Sequence, residues 1–235
     1  MTGTTLLVFA IVAAFPLAAQ QMPENKKITD PIVARFAVAG IPAIQALLQL
    51  SRSEHATFGI VANEMLCKTQ VSYSTENTPA SVIAKQIVAL VPGYTWKIIP
   101  DLQGAVVEPI SVNPAAEQFL GLVDSHYGPV KGNLQTLVMT LWVHARYILH
   151  PDQGTAGSIL GSTNEPVLEV EAENATIEEI LDRIALKSKG AWVLRPLPPS
   201  LASLGGEIPF SIISESGSSL FDPGTLCTPL GEVGP

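Results

Sequence analysis

The chain has 235 residues, of which 47% are hydrophobic and 14% charged, and it carries a net charge of −8. So apolar a composition excludes a disordered tail or a coiled coil and demands a buried core, in one large or two small domains. With 13 Lys and Arg against 21 Asp and Glu, no basic stripe is available to neutralise phosphates, which disfavours nucleic acid and anionic membrane surfaces as partners.

The first predicted element is an export signal over residues 1–19. Leu6 to Ala14 forms an apolar run that Pro16 closes, and Leu17-Ala18-Ala19 offers small residues for cleavage at Ala19, although Met1 to Thr5 carries no Lys or Arg. The alternative is an uncleaved anchor, for which the run is short against about 30 Å of hydrocarbon. No later stretch reaches membrane-spanning length, because His144 and Arg146 interrupt Leu134 to Leu149. The expectation is a soluble mature chain, periplasmic or secreted, with no membrane insertion.

Beyond the signal the chain repeats itself. Ile41, Ile44, Leu47 and Leu48 predict a first helix, and Phe58 to Val61 a short apolar strand. Val71, Tyr73 and Thr75 alternate as in a half-buried strand, Ile83, Ile87, Leu90 and Val91 share a helix face, Gly93 sits where a left-handed residue ends that helix, and a strand with Trp96 follows. Pro109 and Pro114 bracket a joint. Then Leu134, Leu137, Val138, Leu141 and Trp142 repeat the first helix, and Tyr147 to Leu149 the short strand. After a Gly, Ser and Thr-rich loop, His150 to Pro166, come a strand with Leu168, Val170 and Ala172, a helix with Ile177, Ile180, Leu181 and Ile184 that a Thr176–Glu179 capping box would start, a helix-ending Gly190, and Trp192. Ile83 matches Ile180, Ile87 matches Ile184 and Gly93 matches Gly190 at one constant offset; Trp96 and Trp192 fall one residue short of it.

The fold predicted is therefore α+β: two small tandem two-layer α/β sandwich domains, βαββαβ-like, at about residues 36–110 and 115–196. Residues 197–235, rich in Pro, Gly and Ser and without Lys or Arg, read as a flexible tail in which Glu207 to Ser214 could add one strand. Such a duplication predicts that each copy buries its own tryptophan. One continuous sheet holding Trp96 and Trp192 in different surroundings would remove the ground of the docking reading itself.

The stretch from Phe36 to Ile110 resembles the secretin and TonB N-terminal short domain, through Ile41 to Leu50 as first helix, Phe58 to Val61 and Val71 to Tyr73 as strands, Ser81 to Val91 as second helix, and Pro92-Gly93-Tyr94-Thr95-Trp96. The second copy resembles it as a divergent relative. The resemblance implies a periplasmic docking module that contacts an envelope or secretion-system protein; the chain after Pro196 is too short for a pore or a transporter barrel.

Chemistry is sparse. Cys67 and Cys227 permit one disulfide in an oxidising compartment or stand as two thiols. His55, His126, His144 and His150 show no ligand spacing, so no metal, cofactor or catalytic residue is expected. Gly154 to Gly161 lacks the endings of a phosphate loop or a nucleophile turn. Glu165, Glu169, Glu171, Glu173, Glu178, Glu179 and Asp182 read as a solvated acidic face, Asn174 as a glycosylation acceptor or merely the approach to a helix cap, and Trp96, Trp142 and Trp192 as core anchors. The competing function is a small exported hydrolase or ligand-binding protein with its site between the domains near residues 150–166, which requires His126, His144 and His150 to converge.

Overall fold

The computed structural model describes residues 30–99, 104–152, 167–196 and 210–215. Along them run β1 (Ile32–Pro42), α1 (Ala43–Glu54), β2 (Phe58–Val61), α2 (Glu64–Lys68), β3 (Gln70–Pro79), α3 (Ala80–Ala89), β4 (Tyr94–Ile99), β5 (Gly104–Pro109), α4 (Pro114–Leu120), β6 (Val123–Gly132), α5 (Leu134–Leu149), β7 (Leu168–Thr176), α6 (Ile177–Ser188), β8 (Ala191–Pro196) and β9 (Phe210–Glu215). The class is α+β, as expected.

Each half opens with a long antiparallel pair, β1 with β3 and β6 with β7; the alternation of more and less buried residues in β3 and β7 fits a strand with one face on a core. The remaining strands form one five-stranded sheet in the order β4-β5-β2-β8-β9. Its centre is parallel: β2 pairs with β5 on one side and with β8, from the second half, on the other. A strand covered on both faces needs apolar residues at successive positions, and both central strands have them: Phe58 to Val61 in β2 and Ala191 to Leu194 in β8 are buried throughout.

Two cores follow. Phe58, Ile60, Val107, Ala191 and Val193 point to one face, against Ile44, Leu47 and Leu48 of α1 and Ile83 and Ile87 of α3. Val61, Val106, Trp192 and Leu194 point to the other, against Leu137 and Leu141 of α5 and Ile180 and Ile184 of α6. Strand pair, helix pair, central sheet, helix pair and strand pair thus stack in sequence. Each half supplies strands to both cores.

This differs from two self-contained sandwiches. The expected short strand at Tyr147 to Leu149 is the last turn of α5, a helix whose apolar periodicity runs unbroken to Leu149. Among the described residues no second-half strand takes the place of β2, and β2 serves both halves. The tryptophans are accordingly not equivalent. Trp192 is buried in mid-sheet, whereas Trp96 lies on the outermost strand, partly buried, with its ring edge-on to Phe58 at 5.9 Å between centroids. The expectation of two self-contained sandwiches, each with a matching buried tryptophan, is overturned, and the docking reading loses the duplicated modules on which the repeat had rested it.

Smaller differences have local causes. Leu90 is the C-cap of α3 and half exposed, outside the stripe assigned to it. Gly93 is left-handed as expected, but in the second copy Lys189 takes the left-handed position before Gly190. The Thr176–Glu179 capping box is present in full. Part of the expected tail, Phe210–Glu215, forms β9 on the edge of β8. The export signal, the glycine-rich Gly154 to Gly161, Glu165 and Cys227 lie outside the described residues. No helix among those described is long and apolar enough to cross a membrane.

Candidate functional site

The duplication supplies an internal reference. In the first half Val33 lies opposite Thr78, Arg35 opposite Glu76 and Phe36 opposite Thr75. In the second, Asp124 lies opposite Ala175, His126 opposite Glu173 and Tyr127 opposite Ala172. The β3 and β7 residues of these pairs match through the repeat, so Asp124, His126 and Tyr127 occupy the places of Val33, Arg35 and Phe36. Where one half buries a valine at 0% exposure, the other buries a carboxylate at 5%.

A buried carboxylate is costly unless hydrogen-bonded, and both oxygens of Asp124 are engaged. Oδ2 meets His144 Nδ1 on α5 at 2.6 Å, and Oδ1 accepts the backbone N–H of His126 at 3.0 Å. The His126 ring is bonded through Nδ1 to Glu173 across the strand pair. Tyr127 donates its hydroxyl to the Leu137 carbonyl at 2.8 Å and sets its ring edge-on to His144 at 5.3 Å. Burial first, and the Asp124 charge second, push the Tyr127 hydroxyl above its usual pKa, so it stays a proton donor. Asp124, Ser125, His126, His144, Tyr147 and Pro151 line a groove of about 430 Å³ here.

His126 and His144 therefore do come together, though on the outer side of the second half. His150 caps the end of α5 beside Pro151 and does not line the groove; His55 caps α1 in the other half. The cavity between the halves, about 450 Å³ at the carboxyl ends of β2, β5 and β8, is lined by Val61, Leu194, Pro109, Val112 and Ala116 with Asn63, Ser111 and Asn113, and no acid or base lines it among the described residues. Its two asparagines already cap α2 and α4 by accepting from Met65 N and Ala115 N. In the groove, neither imidazole is bonded to a hydroxyl or thiol among the described residues.

Two further groups were misjudged or left open by spacing. Asp182 belongs to the core: it is 6% exposed, and its Oδ1 accepts the Trp192 indole N–H at 2.6 Å. Burial raises its pKa to about 7, with the indole bond opposing the rise. Glu178, one turn earlier, is also raised by burial, while Glu169, Glu171 and Glu173 lie on the exposed side of β7 as expected. Cys67, on α2, is disulfide-bonded. Trp142 is half-buried against the second core, with Arg146 over its ring at 5.6 Å.

No family model, curated protein or solved structure matches the chain.

Proposed function

We propose that the chain is an exported, non-catalytic interaction module of the cell envelope, related to the short N-terminal domains of secretins and TonB-dependent receptors, and that it binds its protein partner as one body. The observation that carries this reading is the open end of the central sheet. β4 pairs only with β5, so its outer row of backbone donors and acceptors has no partner strand among the described residues. A strand so placed is a template for an added strand, and Ile98 on it is 67% exposed.

A photo-crosslinking side chain at Thr95 tests this in envelope extracts. One dominant protein adduct, competed by unlabelled chain and weakened by Ile98→Glu, supports the reading. Adducts spread over many proteins, or insensitive to both, overturn it. The second reading, a small exported hydrolase or ligand-binding protein, is favoured by one observation, the imidazole of His144 held by Asp124 in an open groove. Turnover in an ester, amide and phosphate screen that His144→Gln abolishes would select it.

A further inference from the structure

We propose that the groove between β6 and α5 binds a divalent transition-metal ion of the zinc, nickel and copper(II) type through Nε2 of His126 and of His144. This goes beyond the interaction reading and stands without it. The first ground is the internal comparison. The fold itself is satisfied by Val33 and Arg35 at these places, so the second half does not need Asp124 and His126 to fold in the same way. Exchanging a buried valine for a carboxylate carries a desolvation cost, and what the carboxylate does is fix both histidines, one by its ring and one by its backbone.

The second ground is how each ring is held. His144 Nδ1 is bonded to Asp124 and His126 Nδ1 to Glu173. A carboxylate on one ring nitrogen fixes the tautomer that leaves the other nitrogen a lone pair, which is the environment of metal-binding imidazoles. Both rings carry it, both line one groove, and at 34% and 59% exposure both are reachable by an ion from solvent. Imidazole nitrogen suits zinc, nickel and copper rather than calcium or magnesium. No group of three or more ligating side chains exists among the described residues, so water completes the coordination and the ion exchanges readily.

The test is calorimetric titration of metal-stripped chain, without an affinity tag, with zinc and nickel chlorides. One ion per chain is expected. His126→Gln and His144→Gln should each weaken binding at least about tenfold, Asp124→Asn by roughly 10 to 100-fold as for other outer partners of metal-bound histidine, and His55→Gln not at all. Asp124→Val installs the residue of the first half and should keep the melting transition while losing the ion. In the wild-type chain, copper(II) should broaden the imidazole resonances of His126 and His144 before that of His55. Absence of saturable binding, or binding and broadening indifferent to His126 and His144, would overturn the proposal.

Discussion

Asp182 and Trp192 meet through a 2.6 Å hydrogen bond, and the indole so anchored lies against Gly59, a residue of the other half. A Cβ built on Gly59 would stand 2.1 Å from Trp192 Cζ2, so the absence of a side chain there is what lets the ring cross β2. The contact joins α6, β8 and β2 and welds the halves at the middle of the shared sheet. The carboxylate satisfies a buried N–H that the apolar surroundings could not, while its own Oδ2 finds no donor among the described residues.

Stability should therefore depend on pH in a particular direction. Burial lifts Asp182 from 3.8 to about 7 in the folded chain, so between those values the folded state holds a proton that the unfolded state has released. Its contribution is full below pH 4, declines as pH rises toward 7, and is level beyond, with a slope of up to about 1.4 kcal/mol per pH unit. Asp182→Asn removes this component. Denaturant melts at pH 5 and pH 8 should show the variant gaining on the wild type at the higher pH; an equal difference at both refutes the assignment.

Gly59→Ala forces the indole off β2 and should cost about 3 kcal/mol by overpacking. Trp192→Phe should cost about as much, through lost volume and a carboxyl left without its donor. Both act at the joint, so near-ultraviolet dichroism of both halves should be lost in one transition. Two separable transitions in either variant would contradict a common sheet.

The halves should not fold alone. A fragment ending at residue 110 would leave Val61 and Val106 without the second core, and Phe58 and Ile60 without Ala191 and Val193. We expect no cooperative calorimetric peak from it.

Thr176→Ala removes the hydroxyl that accepts Glu179 N and should destabilise by about 1 kcal/mol, measured by urea titration.

Cys67 is disulfide-bonded, and we propose Cys227 as its partner. Non-reducing mass analysis should find the chain two hydrogens light, and Cys227→Ser should lower stability by up to ~5 kcal/mol in the chain-entropy view of a long closed loop. A free thiol at either position excludes the pairing.

Much of the layout was legible in the residues. The apolar stripes of α5 and α6, the capping box and the glycine at the end of α3 depend on neighbours within a turn or two, and periodicity captures such dependence. The shared sheet was harder to see. That Phe58 to Val61 and Ala191 to Leu194 are apolar at consecutive positions marks strands buried on both sides, yet nothing local says that they pair with each other. The groove was missed for a related reason: Asp124 and His144 are far apart in sequence, and only carrying the repeat alignment upstream into β1 and β6 would have set Asp124 beside Val33. Asp182 was placed with the acidic face because its charge suggested solvent and because it stands two residues from both Ile180 and Ile184, off their stripe; only the packing of β8, whose Trp192 it accepts from, buries it.

Because β2 emerges early and its neighbour β8 late, nascent chain must keep a sticky hydrophobic edge waiting until most of the polypeptide has been delivered. Docking across so long a sequence separation is slow. A chaperone that shields β2 in the interim would raise the yield of native protein more than any improvement to the first half's own helices.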